Sequence, residues 1–587
     1  MSSESIKESY LIIDINNSQT KAVLIEGTGG AYSVKGIDEA PTTVDTPTLD
    51  VTIGVKKSLE GLGQAIGEGP WSLEGPSKNH RLLCSSSTSG GLYMMVAGVA
   101  SKISAESAQR AALGAGALLM DVFSKDDRRP PYVIVERMRS TKPDIFLLAG
   151  GTDGGAVGQV LDMAHLISDA DVRPRFGPDF RLPVVYAGNV EIRDEVKGTL
   201  SDNRFATRAV DNVRPVMERE NLGPAKEAIY DSYMEHVIIH SPGYDKLLGW
   251  VDAPIIPTQA AVGKILYAYA LERGVNMLAV DVGGETTDVY SVYNGVFNRS
   301  LNADIGLTFG ICNVMKEAGV KNVLRWLPDD MSEGEVRNII GNIMIRQPES
   351  LTPEEALVQQ AVAREAIRLG VEQHKGIASR LKGVSLRRDI SNVFSQALES
   401  TYLDMMNTRV VIGRGKVFTQ IPSAEAALLI LDALQPEGIT EMRIDRLGLI
   451  PHLGALLALN PEASKQILSK ECLRMMGTCV APRGEARPGK VAMSVRLTKS
   501  NGAIEDVISC GELKTLPLGL GETAKLDVMP ERRYDIGRGR GKRLEVEVTG
   551  GDLGLMIDAR GRPLEFAKWG DKMVEWRKAV GLDQALR

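Results

Sequence analysis

Cysteine, histidine and aromatic side chains are scarce in this chain. Five cysteines are spread over 587 residues, at Cys84, Cys312, Cys472, Cys479 and Cys510, with no Cys-x-x-Cys pair among them. So sparse a set argues against a disulfide framework and fits a reducing compartment. The six histidines are equally dispersed, which leaves no transition-metal site at motif spacing. A surplus of positive charge is missing too. The formal net charge of −6 argues against general nucleic-acid binding. Long apolar runs are absent: the longest uncharged stretch, Leu82 to Ser101, is broken by serines, a threonine and glycines and makes a poor membrane span. The start, Met1 to Asn17, lacks the basic segment and long apolar core of a signal peptide. These absences point to a cytoplasmic chain with no nucleic-acid or membrane partner.

What is present is ordinary globular material. Apolar residues make up 43% and charged residues 25% of the chain, as in soluble domains, and the length suits three or four of them. The most informative stretch is Leu278 to Tyr293. An apolar strand ends in Asp281, Gly283-Gly284 turns the chain, Glu285-Thr286-Thr287-Asp288 follows, and a second alternating strand returns. Such a hairpin can wrap a nucleoside triphosphate: glycines let backbone N–H groups approach phosphate oxygens, and Thr hydroxyls add donors. The flanking carboxylates can hold Mg²⁺ waters or orient an attacking water. An ordinary β-hairpin in which Gly-Gly merely turns the chain is the competing reading.

The N-terminus repeats the plan. Tyr10 to Ile13 is a strand, Asp14-Ile15-Asn16-Asn17-Ser18-Gln19-Thr20-Lys21 is a polar turn, and Ala22 to Ile25 returns. Two such hairpins suggest duplicated domains, each with a phosphate loop. The interval between Asp14 and Asp281 exceeds the ~100–150 residues of one small α/β unit, so an insertion is expected between them.

Along that interval Leu49 to Val55 alternates like a strand. Leu82-Leu83-Cys84 and Leu92 to Val99 read as strands around a Ser/Thr/Gly loop, Ser85 to Gly91. Ala105 to Phe123 reads as a small-residue helix capped by Ser104. Pro143 to Ala149, the loop Gly150 to Gly155, the helix Val157 to Ile167 and the strand Pro183 to Asn189 form a βαβ unit, its loop at the edge where α/β sheets bind ligands. That loop could contact an anion or a partner, or simply allow close helix packing. His236 to Ile239 reads as a strand entering a turn at Ser241 to Tyr244.

Beyond the second hairpin, Met331 to about Arg387 is charged at helical spacing, with a cap at Thr352-Pro353-Glu354-Glu355. Val410 to Val417 is a buried strand ending in the turn Gly413-Arg414-Gly415, of the kind on which flat apolar rings sit. From Val480 the pattern becomes alternating strands punctuated by Gly and Pro. This segment carries a basic glycine loop, Gly537 to Arg543, which suits a solvated hairpin turn better than a phosphate or acidic-partner site.

These motifs, in this order, resemble the two phosphate motifs and the adenosine motif of the actin, Hsp70 and sugar-kinase ATPase superfamily. Within it, Ser85 to Leu92, Leu147 to Gly155, Pro183 to Asn189, Asp281 to Val289 and Gly448 to Gly454 look like the corresponding segments of the glutamate mutase accessory proteins. The resemblance implies an α/β, two-lobed actin-like ATPase built from duplicated ribonuclease-H-like domains. Residues 1–80 would begin lobe I, 81–245 would hold an inserted α/β region and the return to lobe I, 246–475 would form lobe II with a helical subdomain at about 331–400, and 476–587 a small β-rich domain. It also implies an ATP-dependent, chaperone-like reactivating factor for an adenosylcobalamin-dependent mutase, with ATP or ADP and Mg²⁺ as cofactors and mutase subunits as partners. Homo-oligomerisation is left open.

In those terms Asp14, Asp281 and Asp288 are the catalytic and water-mediated Mg²⁺ residues, with Asp281 orienting water. Asn16, Asn17, Ser18, Thr20, Lys21, Gly283, Gly284, Glu285, Thr286 and Thr287 line the phosphates, and Gly413, Arg414, Gly415 and Lys416 the adenosine. The chain departs from the superfamily pattern at Asn16, where Gly is usual, and at Lys416, where a second glycine is usual. Asn tolerates left-handed backbone angles, which would preserve the turn. No Asp-x-His-x-x-Gly signature is present, so the chain is not itself a base-off cobalamin carrier. A small-molecule kinase or ATP-dependent hydrolase of the same fold, and a non-hydrolysing interaction subunit, stand as alternatives.

Overall fold

The computed structural model describes residues 8–44, 47–69, 71, 80–87, 92–177, 179–328, 330–347, 350–379, 381, 401–566 and 572–582. The loop residues Thr88 to Gly91 and the helical expectation beyond residue 381 lie outside them. The described chain falls into two compact units, residues 8–266 with 450–471, and residues 267–379 with 401–449 and 472–582.

The first unit holds ten strands: β1 Glu8–Ile15, β2 Gln19–Thr28, β3 Ala31–Pro41, β4 Arg81–Ser86, β5 Tyr93–Gly98, β6 Leu118–Ser124, β7 Ile145–Leu148, β8 Leu182–Tyr186, β9 Phe205–Ala209 and β10 Ile256–Pro257. One sheet has the order β3-β2-β1-β4-β10. Its first three strands form an antiparallel meander, and β4 and β10 run parallel to β1. β1 is buried along six consecutive residues, because a central strand covered on both faces needs a continuous apolar run.

The other sheet, β6-β5-β7-β8-β9, is wholly parallel. Renumbered from its own first strand the order is 2-1-3-4-5, a doubly wound α/β unit. It sits in the chain between β4 and β10, so the insertion expected between the two hairpins is present.

The second unit contributes β11 Met277–Val282, β12 Thr287–Tyr293, β13 Val296–Asn302, β14 Val410–Arg414, β15 Gly438–Asp445, β16 Leu473–Ala481, β17 Val491–Lys499, β18 Gly502–Ser509, β19 Leu513–Leu516, β20 Thr523–Pro530, β21 Leu544–Thr549 and β22 Leu555–Asp558. Its large sheet runs β13-β12-β11-β14-β15-β16-β22-β19. The first five strands repeat the plan of the N-terminal sheet: an antiparallel meander β11-β12-β13, then β14 and β15 parallel to β11.

The α/β class with duplicated ribonuclease-H-like sheets is thus present in the strand order itself. β17, β18, β20 and β21 form a separate antiparallel sheet, buried on alternate residues of β17 and β20. β19 and β22 join the large sheet, and all share one apolar core with Val280, Val411 and Leu429. The basic loop Gly537 to Arg543 lies between β20 and β21. There Asp535 accepts from the N–H groups of Gly537 and Gly539, and Arg543 pairs with Asp527.

Three local expectations are corrected. Leu49 to Val55 is not a strand: a helix runs from Val51 to Ala65, because the Asp50 carboxylate accepts from the N–H and hydroxyl of Thr52 and caps it. Ala105 to Phe123 is not one helix. The helix Glu106–Gly114 stops at the Gly-Ala-Gly break, where Gly116 is left-handed, and β6 follows. Ser104 accepts from the N–H groups of Val99 and Ala100 instead of capping that helix. His236 to Ile239 is not a strand but the end of the helix Gly223–His236 and a short 3₁₀ turn.

The capped helices are as expected: Glu333–Arg346 and Pro353–Ile377 both open with capping boxes. Among the described residues no helix is long and apolar enough to cross a membrane.

Candidate functional site

The N-terminal hairpin places Asp14 near the end of β1, 2% exposed. Three donors converge on its carboxylate: the Ser85 hydroxyl at 2.6 Å, the Thr258 hydroxyl at 2.8 Å and the Asn16 amide at 2.9 Å. Ser85 comes from β4, the parallel neighbour of β1. Thr258 opens the helix Thr258–Arg273 directly after β10.

The turn is tied by the Asn16 N–H on the Gln19 carbonyl and by the Ser87 hydroxyl on the Asn16 side chain. Asn16 does not adopt a left-handed backbone angle. A side chain is therefore accommodated without strain, and the left-handed tolerance expected of Asn is not used. Asn17 and Ser18 are exposed at the tip. Thr20 is fully buried with its hydroxyl 3.0 Å from that of Thr42, and the Lys21 ammonium lies 2.7 Å from Glu39. Of the expected first-loop contacts, only Asn17 and Ser18 face solvent at the tip.

In the second unit, β11 and β12 pair in antiparallel register with Asp281 opposite Asp288. The Gly283 N–H closes the turn on the Thr286 carbonyl. The N–H groups of Gly284, Glu285 and Thr286 have no acceptor among the described residues. Three consecutive unpaired amides in a turn are the kind of concavity that binds anions. The loop after β13 braces the turn: Leu307 and Thr308 N–H groups donate to the Gly283 and Gly284 carbonyls at 3.0 and 2.8 Å. A Cβ on Gly284 would stand 2.4 Å from the Thr308 hydroxyl, which would have to shift from its bond to the Gly284 carbonyl.

Thr287 is fully buried and donates to the Ile305 carbonyl at 2.8 Å. Its hydroxyl thus anchors the loop and does not face outward. Asp288 is also buried, with the Arg299 guanidinium at 2.6 Å. Burial raises its carboxyl above the ordinary range, and the nearby Asp281 charge adds to this while Arg299 opposes it.

Asp281 is 17% exposed and forms an ion pair with Arg414, its lateral neighbour on the parallel strand β14. The Arg414 guanidinium also lies 3.4 Å from the wholly buried Asp445, which ends β15. Asp445 in turn accepts from the Leu449 N–H and the Cys472 thiol, both at 3.0 Å. Burial, reinforced by Asp445, pushes the Cys472 thiol well up. Gly413 is buried, and a Cβ there would stand 2.8 Å from the Phe418 ring. Gly415 is left-handed, with its side-chain direction closed by the Val282 carbonyl. Lys416 is exposed at the start of the short helix Lys416–Thr419.

The structure therefore gathers Asp14, Asn16, Asn17 and Ser18 in one unit. In the other it gathers Asp281, Gly283 to Thr286, Asp288, Gly413, Arg414 and Gly415. Sequence reasoning missed Ser85, Thr258 and Arg299, which fix the carboxylates of Asp14 and Asp288, and Asp445, which lies against Arg414. Ser85 falls in a Ser/Thr/Gly stretch whose composition alone assigns it no role. Arg299 and Asp445 carry no motif, and only strand register reveals them.

Two sheets of one strand order, each with an aspartate at the end of its first strand and a polar turn after it, define a duplicated α/β fold. The family described as "MutL protein" matches residues 10–472, and the chain belongs to that family. It is 28% identical over 499 residues to Protein MutL of Clostridium tetanomorphum, covering 80% of this chain and all of that one.

Among solved structures, a nucleotide-free diol dehydratase-reactivating factor is similar at 11% identity, TM-score 0.30, with 77% of this chain and 99% of that chain covered. Acetone carboxylase in its nucleotide-free form is similar at 12% identity, TM-score 0.31, with 86% and 81% covered. Both are distant likenesses.

Proposed function

We propose that the chain is an ATP-binding, ATP-hydrolysing accessory factor that reactivates an adenosylcobalamin-dependent mutase of the glutamate mutase type. Membership of the MutL protein family supports the accessory role. The observation that carries the nucleotide reading is the turn at Gly284 to Thr286, whose three amides have no acceptor among the described residues and lie just after Asp281. Amides of this kind suit phosphate oxygens, and the carboxylates of Asp14 and Asp281 suit Mg²⁺. Among the described residues no three potential metal ligands cluster, so Mg²⁺ would be held through water and phosphate. Bound Mg²⁺ supplies charge neutralisation at the transferring phosphoryl group.

In this reading the chain's own residues do four things. The Gly284–Thr286 amides and Ser18 bind phosphate. Asp281 orients the attacking water. The Ser85 and Thr258 hydroxyls hold Asp14 in place. Arg299 fixes Asp288 behind Asp281.

Asp281→Ala is expected to abolish steady-state ATP turnover while keeping much of nucleotide binding, measured by phosphate release and calorimetry. Unchanged turnover overturns the assignment of Asp281. The Arg414–Asp281 pair favours a second reading, a subunit that binds nucleotide without hydrolysing it; absence of turnover in the wild-type chain despite ATP binding would select it.

A further inference from the structure

Three parallel strands, β11, β14 and β15, end side by side, and a charged row lies across their carboxyl edge: Asp281, Arg414, Asp445. Asp281 and Arg414 are register partners. Asp445 lies one step beyond the last paired residues of β14 and β15, Gly413 and Ile444. The two carboxylates are unequal. Asp445 is wholly buried and fixed by Leu449 and Cys472, whereas Asp281 is 17% exposed at the mouth of the amide turn. One guanidinium serves both.

Arg414 ends β14 between two glycines, and its backbone is held by the parallel pairing with Asp281 of β11. Any exchange of partners must therefore come from the side chain. Arg414 donates a charge-assisted N–H to Asp281, while its Nε faces Asp445. That contact engages the Asp281 Oδ2, and while it lasts that oxygen is not free to orient a water molecule in front of the turn.

We propose that Arg414 is a positioning residue that restrains Asp281. The ion pair keeps the water-orienting carboxylate engaged, and turnover proceeds only when the guanidinium leaves Asp281 for the anchored Asp445 or for nucleotide phosphate. Asp445 is the resting place that makes this exchange feasible without exposing an unpaired buried charge. The inference rests on the ATPase reading of the same site.

The test is the kinetics of Arg414→Ala, Asp445→Asn and the double variant in the full chain, with nucleotide binding measured alongside. Arg414→Ala is expected to raise kcat for ATP about three- to tenfold, or roughly 1 kcal/mol off the barrier. Asp445→Asn keeps the shape of the side chain and the Leu449 contact but drives Arg414 onto Asp281, so kcat falls. The double variant regains the kcat of Arg414→Ala, which a merely structural role for Asp445 would not produce. Arg414→Lys, a point charge without the planar fork, falls between wild type and Arg414→Ala.

By calorimetry, Arg414→Ala weakens ATP binding without Mg²⁺ by about threefold or more, because an uncompensated Asp281 then faces the phosphates. With Mg²⁺ present, binding is preserved. An Arg414→Ala chain that is folded and binds MgATP yet turns over no faster than wild type overturns the inference and leaves the ATPase reading intact. A wild-type chain that neither binds nor hydrolyses ATP overturns both.

Discussion

Thr286 and Thr287 are adjacent in the sequence and opposite in fate. The first lies on a turn and its amide has no acceptor among the described residues, while the second is fully buried on the Ile305 carbonyl. Thr287→Val keeps the shape and leaves that carbonyl without its donor, which costs about 1–3 kcal/mol. A lowered unfolding midpoint with nucleotide binding retained is the expected outcome, read by urea unfolding and calorimetry. Loss of binding with stability unchanged would instead make Thr287 a ligand contact.

The sequence made Asp14, Asp281 and the glycine turns legible because they recur as a pattern of strand, aspartate, turn and strand. It could not separate outward from inward hydroxyls, because a Thr at a turn suits both a phosphate and a carbonyl. Nor could it show that Arg414 meets Asp281, since that contact follows from parallel pairing of strands far apart in the chain.

At the scale of the element, the helix Val51–Ala65 shows why periodicity alone misled. Leu49, Val51, Ile53 and Val55 alternate, yet the buried residues Val51, Val55, Leu59 and Leu62 follow the helical repeat, and the cap at Asp50 decides the matter. Asp50→Ala is expected to remove that cap at about 1 kcal/mol, seen as a lower thermal midpoint, while Asp50→Asn retains most of the stability. Equal loss in both variants would place the effect in the Lys246 ion pair.

The helix Pro353–Ile377 was legible through its capping box and charge spacing, but its docking was not. His374 is wholly buried and bridges Ser291 of β12 and Ser300 of β13 at 2.7 and 2.8 Å. Burial lowers its pKa from the usual 6.5 to about 3. Above pH ~6.5 the imidazole is neutral in both folded and unfolded chains and contributes no pH dependence. As pH falls below that value the unfolded chain takes up a proton that the folded state refuses, so stability drops by about 1.4 kcal/mol per pH unit until the folded pKa is reached. His374→Gln should therefore lose about 2 kcal/mol less than wild type between about pH 7 and about pH 5 in urea unfolding. An identical acid loss in the two chains would contradict a buried neutral histidine.

At the scale of the molecule, the repeated order of meander plus two parallel strands is the evidence that the chain is a duplication. Each copy carries its polar turn at the same place, after its first strand. The duplication was foreseeable because the two hairpins share a plan, and the insertion because the interval was too long for one unit. The sheet that the C-terminal strands would join was not foreseeable: alternation shows that β19 and β22 are strands but not which partner they choose.

The accessory role predicts that the full chain, purified from its source, carries nucleotide and brings a cobalamin mutase subunit with it. A preparation free of both would speak against that role.

If the Gly284–Thr286 turn is a phosphate cradle, calorimetric titration of MgATP into the full chain reads it out. Saturable binding at one site per chain is expected, reduced at least about tenfold, or 1.4 kcal/mol, when Gly284→Val is introduced beside Thr308. Absence of binding to the wild-type chain, or binding unaffected by Gly284→Val, would contradict it.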